Sequence, residues 1–244
     1  MLSKNQIKLI TLLKQKKYRV KHNLFVAEGV KTIKELLNSD FELSHLYTTT
    51  LDFYTSDVLM TQISDKDLKK ISFLKTPNTA LALFKIQNPK PINYNKLVVA
   101  LDNVRDPGNL GTIIRLCDWF GVNDLICNLE TVDCFNPKVI QATMGSIKRV
   151  NVTYMDLSEL LLNSQHKVYG AFMEGEDVYK TQLLDKGILI LGNEANGISN
   201  EVAKNIDIKL SIPRFGNIQE TESLNVANAT AILLSEFKRR ITER

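Results

Sequence analysis

Residues 96–122 read KLVVALDNVRDPGNLGTIIRLCDWFGV: an apolar stretch, a polar loop with glycines, and a second apolar stretch. KLVVALDNV predicts a strand, and NLGTIIRLCDWFGV predicts the helix that follows it. The alternation continues towards the C-terminus. Further strands are expected in DLICNL, KRVNVTYM, KVYGAFM, GILILG and IKLSIP, and helices in FNPKVIQATMGSI, LSELLLNSQ, SNEVAKNI and from Leu224. Strands and helices in alternation with short connections predict an α/β fold, a mostly parallel sheet covered by helices.

The first 88 residues predict a smaller α/β unit ahead of this sheet. Helices are expected over residues 3–17, in VKTIKELLNS after Gly29 and in SDKDLKKISFL, and strands in SHLYTTT and LALFKI. KIQNPKPINYNK then has two prolines and three asparagines among few apolar residues, which is typical of a linker. The sequence therefore divides into a domain at 1–88, a linker at 89–96 and a second domain at 97–244.

Composition places the chain among ordinary globular proteins. Of its 244 residues 44% are hydrophobic, and no apolar run approaches the roughly 18 to 20 residues of a membrane span. The N-terminus lacks the compact apolar segment of a secretory signal, so we expect a cytoplasmic protein without a membrane partner. Cys117, Cys127 and Cys134 form no CxxC pair and lie far along the chain from the histidines. We therefore expect reduced thiols and no metal site.

Basic residues are concentrated at the N-terminus, although the net charge is only +4. The first 21 residues contain no acid and seven basic residues, which are Lys4, Lys8, Lys14, Lys16, Lys17, Arg19 and Lys21. Such a basic face can bind the phosphates of nucleic acid. An exposed basic helix can equally be a solvated surface, and charge alone does not decide between the two.

Three loops of the second domain carry polar residues where ligands bind in open parallel sheets, beyond the carboxyl ends of the strands. They are DNVRDPGNLGTIIR at 102–115, GNEANGIS at 192–199, and GNIQETESLNVANATAILL at 216–234, which follows LSIPRFG. In the first loop, glycines at 108 and 111 precede a helix. They permit close backbone approach and leave helix N–H groups free for an anion, although ordinary turns use glycine in the same way.

Single residues in these loops also have plain structural explanations. Arg115 can extend from a mostly buried helix, and Ser223 can cap the last helix. Glu194 follows an apolar strand, where its charge must be hydrated or paired, and it can still serve in a surface turn. These explanations do not account for five such residues on three loops of one sheet: Asn109, Arg115, Glu194, Ser223 and Asn225.

The motifs of the three loops resemble, in order and spacing, those of the SpoU-type (TrmH-like) RNA 2′-O-ribose methyltransferases of the SPOUT superfamily. The resemblance spans residues 97–237, with N-x-G-x-x-x-R at 109–115, D-W-F-G at 118–121, L-G-N-E-x-x-G-I at 191–198, I-P at 212–213 and S-L-N-V at 223–226. The first 88 residues look like the family's appended RNA-binding domain. Their looser motifs are F-V-A-E-G-V-K at 25–31 and K-T-P at 75–77.

This resemblance implies a sheet with a deep trefoil knot, S-adenosylmethionine as cofactor and a homodimer packed through the knotted domain. Because chains rarely thread themselves, only the resemblance supports the knot. The implied catalytic or substrate-binding residues are Arg115, Asn109, Glu194, Ser223 and Asn225. The implied cofactor contacts are Gly192, where a side chain would obstruct the ligand, together with Asn193, Ile212, Pro213 and Leu224.

The implied reaction moves a methyl group from a sulfonium to a ribose 2′-hydroxyl by in-line displacement. Arg115 matches the family's catalytic arginine, which is sometimes drawn as the general base. Because arginine stays protonated in proteins, we favour a clamp on the substrate phosphate that also stabilises alkoxide charge, and the proton acceptor stays open. Asn109 and Glu194 would orient Arg115 or the ribose, and Ser223 and Asn225 would bind the substrate or the cofactor carboxylate.

RNA is the expected partner because only RNA carries the 2′-hydroxyl. The basic N-terminal domain favours ribosomal RNA over transfer RNA. Two features depart from the family pattern: the loop between Gly216 and Ser223 is longer than in the commoner form, and Arg214 replaces a frequent methionine. Glu220 and Glu222 in that loop have no matched role.

Two other functions compete with this one. A non-catalytic RNA-binding protein on the same fold would work through its basic helix, and the presence of all five implied site residues argues against it. An oxidoreductase on a Rossmann sheet would need a GxGxxG motif after the first strand, which this sequence lacks.

Overall fold

The computed structural model describes residues 2–53, 55–216 and 223–242. The chain divides into two compact units. The first contains the chain up to Asn88 together with Asp133–Lys148, and the second contains Pro89–Val132 and the chain from Arg149 onward. The segment Asp133–Lys148 therefore groups with the first unit, although it connects two strands of the second.

The helices and strands follow the predicted alternation in the second unit. The helices are α1 (Lys4–Leu12), α2 (Lys16–His22), α3 (Val30–Leu37), α4 (Asp65–Ile71), α5 (Pro107–Trp119), α6 (Pro137–Thr143), α7 (Leu157–Leu162), α8 (Asn200–Ala203) and α9 (Val226–Thr242). The strands are β1 (Leu24–Glu28), β2 (Leu43–Thr48), β3 (Met60–Gln62), β4 (Ala80–Lys85), β5 (Leu97–Leu101), β6 (Asp124–Cys127), β7 (Asn151–Tyr154), β8 (Val168–Asp177), β9 (Gly187–Leu191) and β10 (Ile208–Ser211). Sequence patterning predicted neither α2 as a separate helix nor the strands β1 and β3.

The sheet of the first unit has the order β1-β4-β2-β3. Strand β4 pairs antiparallel with β1 and β2, and β2 pairs parallel with β3. Its core joins side chains of the N-terminal segment to side chains of the sheet, among them Ile10, Leu13, Val26, Leu81 and Leu83. The basic N-terminal segment is therefore anchored by an apolar face.

The predicted single helix over residues 3–17 is wrong, because α1 ends at Leu12 and α2 begins at Lys16. The side chain of Arg19 donates hydrogen bonds to backbone carbonyl groups at this break. Its Nη1 donates to the carbonyl oxygens of the two residues after α1, both at 2.9 Å. Its Nε donates to Asp133 Oδ2 at 2.9 Å. Since Arg19 is only 2% exposed, this ion pair fixes the segment Asp133–Lys148 to the N-terminal helices, and losing either partner would leave a buried charge.

The sheet of the second unit has the order β10-β8-β9-β5-β6-β7, and every neighbouring pair is parallel. The predicted parallel α/β architecture is therefore confirmed. Strands β5 and β9 at its centre are buried at every position, which explains why both read as continuous apolar runs. The chain runs outward from β5 to β7 and then returns to build the other half, so the strand order switches beside β5.

Three central strands end level with one another. Leu101, the last residue of β5, pairs with Leu191 of β9 on one side and with Cys127 of β6 on the other. The loops that follow these strands therefore leave the sheet side by side. Ligand sites in open parallel sheets form at such an edge.

Helices cover both faces of this sheet. One buried cluster contains residues of the central strands together with residues of α7 and α8, among them Val98, Ala100, Ile188, Ile190, Leu157, Leu161 and Val202. Helix α5 packs against α9, and Phe237 of α9 meets Tyr169 of β8 edge-on with ring centroids 5.1 Å apart. The predicted buried helix at the end of the chain is thus part of the core.

None of the helices in the described ranges combines the length and apolar character needed to cross a bilayer. All three cysteines are buried thiols, as predicted. Burial raises the pKa of the Cys117 thiol to about 12, and the neighbouring Asp118 carboxylate acts in the same direction. Cys117 is therefore an unreactive core residue at neutral pH.

Candidate active site

The first loop leads into a capped helix. Asp106 is the N-cap of α5: its Oδ1 accepts a hydrogen bond from Asn109 N at 2.8 Å, and Pro107 occupies the first helical position. Gly108 fits this cap closely, because a Cβ there would lie 3.0 Å from Asp106 Oδ1. The helix N-terminus, where the glycines would leave N–H groups free for an anion, is thus occupied in part by the protein's own carboxylate.

Asn109 connects the three loops by hydrogen bonds. Its Nδ2 donates to Glu194 Oε1, and its Oδ1 accepts from Asn225 Nδ2 at 2.9 Å. These bonds join residues that are 85 and 116 positions apart in the sequence. Three of the five implied catalytic residues therefore form one hydrogen-bonded series, called here the Asn225–Asn109–Glu194 chain.

Arg115 also lies on α5, but it is not part of the Asn225–Asn109–Glu194 chain. Its side chain is exposed, whereas Ile113 and Ile114 beside it are buried. Within the described ranges it makes no hydrogen bond or ion pair, so its guanidinium donors are available to a ligand. Asn109 and Glu194, predicted to orient Arg115 or the ribose, bond to each other instead of to Arg115.

The turn after β9 is shaped by Asn193. Its backbone exchanges two hydrogen bonds with Gly197, at 3.0 and 2.8 Å. Its Nδ2 donates to Asn103 O at 2.7 Å, and its Oδ1 accepts from Ala195 N at 2.9 Å. Asn193, an implied cofactor contact, therefore uses both its side chain and its backbone to form the turn.

Gly192 is required by this turn. A Cβ at position 192 would lie 2.1 Å from the carbonyl carbon of Gly197 and 2.2 Å from Ile198 N. The sequence predicted a glycine that makes room for a ligand, and the structure gives a nearer reason, contact with the protein's own backbone. Gly197 itself has a φ of +66°, in the left-handed region that glycine adopts without strain.

Asn225, and not Ser223, caps α9. Asn225 Oδ1 accepts hydrogen bonds from Ala227 N at 2.9 Å and from Asn228 N at 3.3 Å. Ser223 is exposed, and its hydroxyl makes no hydrogen bond with the residues that the structure describes. The structural alternative considered for Ser223, a cap of this helix, therefore does not apply, because an asparagine at the next but one position supplies the acceptor. Asn225 therefore both caps the helix and donates to Asn109.

The apolar residues implied in cofactor binding flank the third loop. Ile212 and Pro213 follow β10 directly and are half-buried. Leu224 lies just before α9 and is 46% exposed. All three keep apolar surface that a bound molecule could cover.

The longer loop lies outside the described residues, at 217–222, and with it Glu220 and Glu222. Arg214, which departs from the family pattern, is exposed shortly before this loop. Across the ranges that the structure does describe, no group of three or more His, Cys, Asp or Glu side chains could hold a metal ion.

Sequence reasoning missed a set of polar residues beneath the loops. Asp102 follows β5, is 1% exposed and accepts hydrogen bonds from Asn103 Nδ2 at 3.0 Å, Asn128 Nδ2 at 2.9 Å and Ser199 N at 2.7 Å. A signal was present, because Asp102 follows an apolar strand just as Glu194 does. The requirement that such a carboxylate be hydrated or paired applies equally to both.

The basic face of the first unit lacks one of its predicted members. The six lysines are exposed, at Lys4, Lys8, Lys14, Lys16, Lys17 and Lys21. Arg19 is buried and paired with Asp133, so it cannot bind phosphate from that face. The face consists of lysines alone, which suits contact with phosphates as point charges.

Glu28 connects the two motifs of the first unit. This carboxyl group, buried at the end of β1, accepts hydrogen bonds from Ser72 Oγ at 2.5 Å and Phe73 N at 2.7 Å. Burial raises the pKa of Glu28, and the two hydrogen bonds act in the opposite direction. Glu28 thereby ties F-V-A-E-G-V-K at 25–31 to the turn that leads into K-T-P at 75–77.

Residues 96–235 match the model of the SpoU rRNA Methylase family, and the chain belongs to this family. Residues 4–82 match a second model, the MRM3-like substrate binding domain. The loops described above all lie within the first match.

Particular relatives resemble the chain over almost its whole length. It is 31% identical to 23S rRNA (guanosine(2553)-2'-O)-methyltransferase RlmP of Bacillus subtilis, across 97% of each chain. A solved structure from Porphyromonas gingivalis, assigned to the TrmH family of RNA methyltransferases, is 38% identical with a TM-score of 0.89, covering 98% of this chain and 99% of that one. The AdoMet-bound rRNA methyltransferase of Sinorhizobium meliloti is 29% identical with a TM-score of 0.85, covering 99% of this chain and 97% of that one.

Proposed function

We propose that this protein transfers a methyl group from S-adenosylmethionine to the 2′-hydroxyl of a ribose in ribosomal RNA. The observation that carries the proposal is the Asn225–Asn109–Glu194 chain, which brings together the three loops that hold the family's motifs. Membership of the SpoU family supports the reaction. The names of the similar proteins from B. subtilis and S. meliloti support the class of RNA.

The residues at the sheet edge fit the cofactor. Ile212, Pro213 and Leu224 offer apolar surface to its adenine ring or carbon chain, and Gly192 and Asn193 shape the turn after β9. When bound, S-adenosylmethionine supplies an electrophilic methyl group carried on a sulfonium. The protein must then align the acceptor ribose and exclude water.

Arg115 is assigned to the substrate. Its exposed guanidinium can bind an RNA phosphate through two parallel hydrogen bonds, and its charge can stabilise the negative charge that develops on the ribose 2′-oxygen. A side chain that stays protonated in proteins is suited to this electrostatic role. The structure gives it no competing carboxylate within the described ranges.

The remaining polar residues divide into contact and positioning roles. Ser223 keeps an exposed hydroxyl, which we assign to the substrate or to the cofactor carboxylate. Both ends of the Asn109 and Asn225 side-chain amides are engaged, so we assign these residues to positioning. Glu194 accepts one hydrogen bond from Asn109 and has further lone pairs for a ligand hydroxyl or amine.

The first unit is proposed to bind the RNA substrate. Its exposed lysines supply the positive charge, and the match of residues 4–82 to a substrate binding domain supports this role. Ribosomal RNA in the cytoplasm is the proposed target, and transfer RNA is the alternative within the family.

The second unit is proposed to carry the trefoil knot and to form a homodimer, as family membership suggests. Trp119 at the end of α5 is 84% exposed, and Phe215 just beyond β10 is 83% exposed. Aromatic side chains such as these are enriched in protein interfaces. Light scattering should therefore give twice the mass of one chain, and a monomer at micromolar concentration would contradict the dimer.

Calorimetry separates the enzyme from a non-catalytic RNA-binding protein. Titration with S-adenosylmethionine should release binding heat with a one-to-one stoichiometry per chain, and S-adenosylhomocysteine should compete for the same site. A folded protein that binds RNA and gives no heat with either compound would rule out the methyltransferase and favour the binding protein.

A further inference from the structure

We propose that Asp102 is a positioning residue for methyl transfer: it holds the turn after β9 in the arrangement that the cofactor and Glu194 require. This inference rests on the proposed function. It concerns a residue that contacts neither the ribose nor the methyl group.

Asp102 sits where the three level strands end. Its Oδ1 accepts from Asn103 Nδ2 at 3.0 Å and from Asn128 Nδ2 at 2.9 Å, and its Oδ2 accepts from Ser199 N at 2.7 Å. These donors belong to the loops after β5, β6 and β9 respectively. One carboxylate therefore fastens three loops that are far apart in sequence.

Further hydrogen bonds connect these loops to the turn that contains Glu194. Asn103, held at a φ of 62°, accepts from Asn193 Nδ2 through its carbonyl oxygen at 2.7 Å. Asn128 Oδ1 accepts from Asn103 N at 3.0 Å. The turn that contains Glu194 is thereby held both at Asn193 and at Ser199, on either side of the carboxylate that receives the Asn109 hydrogen bond.

Placing a carboxylate here is costly if the purpose is stability alone. Asp102 is 1% exposed, and within the described ranges only neutral groups donate to it. Buried charges without a charged partner weaken a fold more often than they strengthen it. A carboxylate is nevertheless suited to this position, because both of its oxygens accept hydrogen bonds. The side-chain amide of an asparagine would instead place its two N–H groups against another hydrogen-bond donor.

The test uses Asp102→Asn, Asn128→Asp and the double variant. In Asp102→Asn the new amide faces the donors of Asn128 or Ser199, so a buried donor loses its acceptor. In the double variant, the amide introduced at position 102 would donate to the carboxylate introduced at position 128 and still accept from Ser199. The exchange therefore keeps the hydrogen bond between positions 102 and 128 but reverses its direction. The amide of Asn103 is half-buried and can turn to water.

Asp124→Asn is the matched control. Asp124 is also buried, and it accepts from Asn151 Nδ2 at 2.8 Å and from Asn93 N at 3.2 Å, but it lies at the amino end of β6, away from the loops of the site. It should lower the unfolding midpoint without changing cofactor affinity or turnover.

In the full-length protein, Asp102→Asn should weaken S-adenosylmethionine binding and lower kcat, each at least about tenfold. The double variant should recover most of both losses. Unchanged affinity and turnover in Asp102→Asn would overturn the proposal, as would a double variant that regains stability but no activity. If Asp102→Asn does not fold, Asn128→Ala removes one donor without adding another, and normal affinity and turnover in that variant would overturn the proposal instead.

The wild-type protein separates this inference from the proposed function. A wild-type protein that binds no S-adenosylmethionine would contradict both the proposed function and the role of Asp102. A wild-type protein that binds it and methylates RNA, beside an unaffected Asp102→Asn, removes the role of Asp102 alone.

Discussion

Arg115 and Asn109 lie on the same helix and differ in what their side chains can do. Both hydrogen-bonding ends of Asn109 are occupied, by Glu194 and by Asn225, so it fixes loops and has little left for a substrate. Arg115 is exposed and makes no hydrogen bond within the described ranges. The two residues therefore separate positioning from electrostatic contact with the RNA.

Replacing Arg115 tests the electrostatic role. Arg115→Ala should keep the fold, because alanine favours helix and the exposed Arg115 makes no hydrogen bond or ion pair in the described structure. It should keep S-adenosylmethionine affinity and lower methyl transfer on the order of a hundredfold or more. Arg115→Lys keeps the charge but not the paired geometry, so it should recover only part of the rate. Near-normal single-turnover rates in Arg115→Ala would remove this residue from the mechanism.

Residue identities in the site could be predicted, but their pairings could not. The motifs selected Asn109, Glu194 and Asn225, and the structure joins them. A helix cap was one explanation considered for Ser223, but Asn225 has that role; both serine and asparagine cap well, and sequence does not fix which one has the required backbone angles. Asp102 was missed because its partners come from three loops whose alignment depends on strand register.

Helix α9 is capped by a residue that serves both the helix and the site. Asn225 Oδ1 caps the first turn while Nδ2 donates to Asn109. The stability of this helix end and the geometry of the first loop are therefore linked through one side chain. Different substitutions should separate the two effects.

Asn225→Ala and Asn225→Asp form the informative pair. The alanine variant loses both functions, so the free energy of unfolding should fall by about 1 kcal/mol and methyl transfer should fall as well. The aspartate variant keeps an oxygen cap that also suits the helix dipole, but it cannot donate to Asn109. Its stability should stay near that of the wild type while methyl transfer falls. Chemical denaturation and kinetics on the same samples measure both, and full activity in Asn225→Asp would show that the bond to Asn109 is dispensable.

Elements of the second unit were predictable because their apolar runs are long and local. The apolar strand β9 and the alternation of strands with helices appear directly in the sequence. The break between α1 and α2 was not predictable, because the side chain that stabilises it, Arg19, is itself held by Asp133, 114 residues away. Tertiary contacts of this kind override local helix patterning.

At the scale of the whole molecule, charge and chemistry are assigned to different units. The first unit contains the N-terminal lysine face, and the second contains the site loops. Residues 133–148 also belong to the first unit. The division of the sequence into two consecutive domains did not predict this. Sequence order alone cannot predict such an exchange, because nothing local marks where the chain leaves one core for another.

The lysine face can be tested through its salt dependence. Changing Lys14, Lys16 and Lys17 to Gln should weaken RNA binding and reduce the slope of log affinity against log salt by about 2, if each lysine contacts one phosphate. Catalytic turnover at saturating RNA should be unchanged.

The matched control changes the exposed lysines Lys180, Lys186 and Lys204 of the second unit to Gln, which removes the same charge. Equal losses in both triple variants would indicate a general effect of net charge. An unaffected slope in the first variant would make that face a solvated surface.

Ribose methylation mapped across ribosomal RNA tests the central claim most directly. RNA from cells without the protein, and from the same cells supplied with the wild type or with Arg115→Ala, can be compared by mass spectrometry. We predict that one 2′-O-methyl group disappears from ribosomal RNA when the protein is absent, returns with the wild type and does not return with the variant. Identical ribose methylation of ribosomal RNA in all of these cells would contradict the account.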